Sequence, residues 1–402
     1  MYNNRAQIRN NMIRSAIRRC PICNHDSVQR IKSVSLDIPD SFALPSDYDI
    51  VICRKCGFSY ADTSARMEDY DRYYSQCNTY SHTPNTTFSI YNLLKEAFEQ
   101  HIKKGMTLLD IGVGNGIFDE ELDKGGYKII GIDPSASSIS KLQSKGIEGY
   151  IGSIYDPAIE NLRNKCDVVF LVSVLEHLLD PGFAISRIKD YLNKEGRIFI
   201  VVPDYSKISN NSTPLVNNFN QEHINYFSKI SLDNLMALQG FENIFQKSIL
   251  TENNGYKEAE IIVGYSIKNN CGRSKRFVKD EITGGAIDTY IDVELQNERK
   301  RKGIIDELRM SQNPIIIWGT GAFTMHLFAT TNLKMCNIKG YVDNNPSKIG
   351  QEFGQGKNKF TIMSPDQIGT DNYLILINSM LYSKNIEEQI INLGLTNRYL
   401  SL

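Results

Sequence analysis

The stretch Leu108-Leu109-Asp110-Ile111-Gly112-Val113-Gly114-Asn115-Gly116 is an apolar run that ends in an acid and passes at once into glycines spaced two apart. Its pattern predicts a strand, a tight turn and a helix. Glycines at 112, 114 and 116 remove the Cβ atoms that would hold a ligand off the main chain, and they permit the positive φ angles such a turn needs. A flat polar ligand, a nucleoside, can lie against that backbone. A glycine pattern alone says little, but a second strand ending in an acid adds weight, and Lys128–Ile132 followed by Asp133 supplies it.

Outward from this loop the α/β alternation continues from Met106 to about Ile267. Further strands are predicted at Val168–Val172 and Arg197–Val202, with helices after the first two strands and near Gly182–Leu192. That order gives a doubly wound parallel sheet. Ligands of such sheets sit beyond the carboxyl ends of the strands, where Asp110, Asp133, Gly152-Ser153 and Ser173 to His177 all fall. Two more apolar runs, Asn243–Ser248 and Ala259–Tyr265, predict an antiparallel edge. The Asn-rich interruption from Pro203 to Phe227 contains Gln221-Glu222-His223-Ile224-Asn225-Tyr226-Phe227 and reads as a binding loop.

With 402 residues the chain exceeds a single core, and six segments are expected. They are an extension at 1–17, a zinc-binding module at 18–65, and an aromatic-rich helical connection at 66–105 that holds Tyr70, Tyr73, Tyr74 and Tyr80. The α/β core at 106–268, a helical linker at 269–310 broken at Gly284-Gly285, and a Rossmann-like half at 311–402 follow. The module rests on Cys20-Pro21-Ile22-Cys23 and Cys53-Arg54-Lys55-Cys56, two thiolate pairs that together fill a tetrahedral zinc site and leave no open position, so the metal is structural. The last half repeats the opening motif as Pro314–Trp318, Gly319-Thr320-Gly321, Ile338–Val342 and Asp343, but Thr324 stands where a third glycine would be.

Lys and Arg number 45 against 46 Asp and Glu, so neither nucleic acid nor an anionic membrane surface is an expected partner. No apolar run reaches membrane-spanning length and the start lacks a secretory pattern, which predicts a cytoplasmic protein with a small-molecule substrate. The oligomeric state is not legible.

Cysteine pairs, Asp110-x-Gly112-x-Gly114-x-Gly116, Leu175-Glu176-His177, Glu222-His223-x-x-Tyr226-Phe227 and a terminal Gly-x-Gly half occur in an order that resembles the sugar C-methyltransferases of deoxysugar and surface-polysaccharide biosynthesis. The resemblance implies a class I, S-adenosylmethionine-dependent core between a zinc module and a Rossmann-like tail, acting on a nucleotide-linked keto-deoxysugar. It implies that Gly112, Gly114 and Gly116 approach the methyl donor's methionine and ribose, and that Asp133 receives the ribose hydroxyls. Asp110 would orient the loop and the donor's amino group, Gly152 and Ser153 would flank the adenine, and Ser173 belongs to the same rim. His223 would take the proton next to the ketone, Glu222 would orient its ring or hold a sugar hydroxyl, and Tyr80 or His177 would donate to the oxygen that gains charge. Rival readings are an O- or N-methyltransferase acting on a polysaccharide precursor, a non-catalytic S-adenosylmethionine sensor or scaffold, and an oxidoreductase using nicotinamide at Gly319–Gly321 and Asp343.

Overall fold

The structure is a computed structural model that describes residues 12–38, 42–76, 94, 97–211, 213–253, 256–268, 277–369 and 372–402. Tyr80, Cys77, Cys271, most of the extension and most of the helix expected over Phe88–His101 lie outside the described residues. Among the described residues three sheets form, of five, seven and six strands, and no helix is long and apolar enough to cross a membrane.

The first sheet is antiparallel and contains β1 (Ile13–Ser15), β2 (Ser27–Ser35), β3 (Asp47–Cys53) and β4 (Ser59–Asp62). Cys20 and Cys23 precede β2, while Cys53 ends β3 and Cys56 lies in the turn before β4, so the β2–β3 pairing brings the two cysteine pairs together. Helix α1 (Met67–Gln76) follows.

The central sheet begins with β5 (Thr107–Ile111), α2 (Ile117–Lys124), β6 (Lys128–Asp133), α3 (Ala136–Ser144) and β7 (Glu148–Ile151). It continues with β8 (Cys166–Val172), α4 (Pro181–Tyr191) and β9 (Leu192–Pro203). After a long connection come β10 (Asn225–Tyr226), α5 (Lys229–Leu238), β11 (Phe241–Asn253) and β12 (Tyr256–Ile267). The strand order is β11-β12-β9-β8-β5-β6-β7. Strands β5 to β9 are parallel, and β12 and β11 run antiparallel at one edge, as the two apolar runs predicted. Both faces are covered. Leu108, Val168, Phe170, Phe199 and Val201 pack into one core and Leu109, Val169, Leu171, Ile198 and Ile200 into the other, which is why these strands read as unbroken apolar runs. The order reverses between β5 and β8, and the crevice above that point lies between the glycine loop and Ser173 to His177.

Strand β10 leaves the central unit and pairs with β4 of the first sheet. The segment that carries Glu222 and His223 is thereby clamped between the first and second sheets. The linker differs from the expected broken pair: residues Thr283–Ser311 form one helix, α6, and Gly284 lies in its first turn. A Cβ on Gly284 would come within 2.6 Å of Ile52 Cδ1, so the glycine lets α6 approach β3. The third sheet contains β13 (Ile315–Trp318), β14 (Ile338–Val342), β15 (Glu352–Phe353), β16 (Phe360–Met363), β17 (Leu374–Ile377) and β18 (Tyr399–Ser401), in the order β15-β16-β14-β13-β17-β18.

Under the glycine loop the carboxyls of Asp110, 3 % exposed, and Asp119, fully buried, face one another. Burial, and for Asp110 the neighbouring acid, hold both above the ordinary carboxylate range. In the unfolded chain each loses its proton near pH 4. Between that pH and the raised folded value only the native state holds the proton, so this pair makes stability fall as pH rises. Asp119→Asn keeps the shape and has no proton to lose. Its melting temperature is expected to fall less between pH 5 and pH 8 than the wild type's, by on the order of 2 °C, read by calorimetry; parallel declines in the two proteins would refute the assignment.

Candidate active site

Gly112 and Gly114 adopt φ of 85° and 56°, and Gly112 donates its N–H to Ile132 O at the end of the neighbouring strand (2.7 Å). A Cβ on Gly112 would strike Val174 Cγ2 at 2.4 Å, whereas the space over Gly114 is open. Asp133 reaches back to the loop: Oδ2 accepts from Gly114 N (3.0 Å) and Oδ1 from Ser135 N (2.8 Å). A carboxylate oxygen has room for more than one donor, so Asp133 can still accept from a diol.

These groups border a cleft of about 350 Å³, lined by Asp110, Gly112, Gly114, Asp133, Gly152, Ser153, Ser173, His177 and His223 together with Tyr70, Tyr74, Asn115 and Tyr155. Asp110 borders the cleft, with its carboxyl buried toward Asp119. Ser173 has a left-handed backbone (φ 54°), a conformation costly for a residue with a side chain, at the turn that leads to Glu176 and His177. Open backbone at Gly114 and an acid at the second strand end suit the methionine part and the ribose of a nucleoside donor such as S-adenosylmethionine.

Gly116 departs from its expected place. It is not among the cleft residues; it precedes α2 with φ 68°, and a Cβ there would touch Leu142 Cδ1 at 3.4 Å, so it serves the packing of α2 on α3. Glu222 also departs. Its carboxylate accepts from Tyr73 OH, and its backbone N–H, like that of His223, goes to Asn220 Oδ1, while its charge acts on the His223 ring.

Opposite the glycine loop the His177 and His223 rings meet edge to face, with centroids 4.8 Å apart. Tyr74 OH lies 2.9 Å from His177 Nδ1, and Tyr205 OH lies 3.4 Å from His223 Nδ1. Desolvation pushes His177 down to about 4 and, with His177 adding to it, His223 down to about 3, so both imidazoles are neutral at physiological pH. Glu176, 1 % exposed, is pushed up to about 8 by burial. The sequence singled out both histidines. It did not reveal Tyr205, which lies 18 residues before His223 at the start of a 3-10 helix, Tyr205–Asn210, or Arg18. Arg18 donates from its guanidinium to Ile224 O (3.1 Å), Leu179 O (2.6 Å) and Asn225 Oδ1 (2.8 Å), tying the histidine-bearing segments to the first sheet. Tyr74 belonged to the quoted tyrosine cluster, although its contact with His177 was not foreseen.

In the cysteine module Cys20 Sγ and Cys56 Sγ are 3.5 Å apart, as are Cys23 Sγ and Cys53 Sγ, and all four sulfurs lie within 4.8 Å of one another. Tetrahedral zinc–thiolate bonds place sulfurs roughly 3.8 Å apart, so this donor set fits zinc.

Residues 87–246 match a family model described as a methyltransferase domain, and residues 311–400 match one described as C2185-like, N-terminal. A ubiquinone biosynthesis O-methyltransferase from Bradyrhizobium sp. (strain ORS 278) is 32% identical over 112 residues, 26% of this chain and 44% of that protein. A tRNA U34 carboxymethyltransferase from Campylobacter hominis is 34% identical over 121 residues, 28% of this chain and 41% of that protein. The chain thus spans less than half the length of these curated relatives. Among solved structures, the Burkholderia thailandensis 1,6-didemethyltoxoflavin-N1-methyltransferase with bound 1,6-didemethyltoxoflavin and S-adenosylhomocysteine is 15% identical, with a TM-score of 0.41 over 54% of this chain and 98% of that one. The seven-stranded sheet and its glycine loop have the class I, S-adenosylmethionine-dependent methyltransferase fold, and the methyltransferase-domain match over residues 87–246 falls within it.

Proposed function

We propose that the chain transfers a methyl group from S-adenosylmethionine to a carbon beside a ketone, on a nucleotide-linked deoxysugar, through an enolate. What carries the reading is the pair of neutral imidazoles, His177 and His223, on the wall of the same cleft as Gly114 and Asp133. The donor supplies an electrophilic methyl on a sulfonium. Everything else falls to the chain. His223 holds a lone pair at neutral pH and takes the proton from carbon; negative charge growing on the acceptor oxygen raises its hold on that proton. With Tyr74 OH donating to Nδ1, His177 carries its proton on Nε2 and can donate to the acceptor oxygen. Glu222, held by Tyr73, is suited to a sugar hydroxyl more than to the His223 ring. Glycines at 112 and 114 and the carboxylate of Asp133 hold the donor, and the fixed loop sets the line of attack. Cys20, Cys23, Cys53 and Cys56 would hold zinc, which would close the module that supports β10 and hence His223. The nucleotide-sugar acceptor rests on the sequence resemblance.

A second reading is methyl transfer to a hydroxyl oxygen, with the same histidine as base. The relative from Bradyrhizobium, named an O-methyltransferase, favours it. Deuterated water separates the two. A carbon methyltransferase is expected to wash deuterium into a 4-keto nucleotide sugar without the donor present, and to lose methyl transfer by on the order of 10²–10⁴-fold in His223→Ala. Asp133→Ala should instead raise the KM for S-adenosylmethionine. Methyl product without exchange would select the oxygen reading; full-rate transfer by His223→Ala would remove the base assignment.

Zinc is tested separately. A Cys53→Ser protein, or wild type treated with a chelator, is expected to lose one equivalent of zinc and the protease resistance of residues 12–76. An unchanged zinc content after the substitution would refute the four-thiolate site.

A further inference from the structure

Beneath the two histidines, Glu176 is 1 % exposed, and neither of its carboxyl oxygens has a hydrogen-bond partner. A buried carboxyl with nothing to accept from is costly, and its position demands a counterpart. Its Oε1 lies 3.9 Å from His177 Nε2, and one ligand atom each from Glu176, His177 and His223 lie within 4.8 Å of one another. Two imidazoles and one carboxylate form the donor set of open divalent transition-metal sites. Around an ion with bonds of about 2.1 Å such atoms stand roughly 3.4 Å apart, so a small rotation of the side chains closes the set. Each imidazole also has a tyrosine hydroxyl at Nδ1, Tyr74 on His177 and Tyr205 on His223, the kind of outer partner that fixes ring orientation at metal centres. With a metal on Nε2, Nδ1 carries the proton and the tyrosine oxygen accepts it. Glu260 of β12 adds a second carboxylate whose charge acts on Glu176 and favours a cation there. An entry path exists because His177 and His223 line the cleft.

We propose that Glu176, His177 and His223 form a second metal site, distinct from the four cysteines, that takes a divalent transition metal such as zinc or cobalt(II) and leaves its remaining positions open to the cleft. A consequence rests on the function proposed above: the ion occupies the lone pair of His223 that would take the acceptor's proton, so metal and methyl transfer exclude one another.

The test uses the full chain with zinc already on its cysteines. Cobalt(II) is titrated while visible absorption and heat are recorded, with Glu176→Gln and His177→Ala as variants and circular dichroism and S-adenosylmethionine binding as checks on folding. One equivalent of cobalt beyond the zinc is expected, with d–d bands but without thiolate charge-transfer bands. Affinity should fall at least about tenfold in either variant, and methyl transfer should decline as cobalt saturates. No second equivalent in the wild type, or equal affinity in correctly folded variants, overturns the site. Binding that depends on these residues while methyl transfer continues unchanged supports the site and removes His223 as the base, so the two ideas fail separately.

Discussion

The Asp133 carboxylate bonded to the Gly114 N–H is the constraint around which the cleft is built. It links the end of β6 to the loop after β5 and so holds open a stretch of bare backbone where a ligand can lie. The neighbouring bond from Gly112 to Ile132 fixes the same loop from its other end. With both ends held, the turn needs no side-chain support, and glycines can stand at 112 and 114 without loss of order. The arrangement also explains the acids beneath it. Asp110 and Asp119 sit where solvent cannot reach, and two adjacent buried carboxyls cannot both be charged, so the floor of the cleft holds a proton instead of a repulsive pair.

The opposite wall depends on a different device. His177 follows β8 of the central sheet, while His223 sits just before β10, a strand paired with β4 of the cysteine module. Neither sheet alone sets the distance between the two rings. Arg18 does much of this, since one guanidinium donates to Leu179 beyond His177 and to Ile224 beyond His223. Charge-assisted bonds of this kind are worth about 1.5–3 kcal/mol each, less whatever desolvation of the guanidinium costs. The cysteine module is thereby coupled to both histidine segments through Arg18, two residues before Cys20.

The parallel sheet, its antiparallel edge, the cysteine quartet and the set of strand-end residues were legible because each is a local pattern. Apolar period, glycine spacing and Cys-x-x-Cys need no knowledge of distant contacts. What the sequence hid depends on such contacts. Gly116 has the same spacing as its neighbours, yet it packs α2 against Leu142 and takes no part in the cleft. Glu222 adjoins His223 in the chain, but the bend at Glu222 turns its carboxylate to Tyr73. Gly284 and Gly285 looked like a helix break, whereas the close approach of Ile52 supplies the reason for Gly284 inside a helix that runs on to Ser311. Arg18 carries no motif at all.

The second glycine turn shows why the motif cannot be interpreted by itself. Gly319 donates to Val342 O as Gly112 does to Ile132 O, so the two loops start alike. They diverge at the acid. Asp343 accepts from both the N–H and the hydroxyl of Thr320 and lies 3.4 Å from Lys348 Nζ, which pulls its carboxyl below the usual range despite burial. Thr324, in place of a third glycine, bonds back to Gly319 O and fills the space under the turn. An acid so fully supplied with donors from its own chain has little to offer a ribose diol, while Asp133, with two backbone donors and no cation, keeps that capacity. The difference in how the chain satisfies its own carboxylates, rather than the glycines, separates a loop built for a nucleoside from one that closes a structural half.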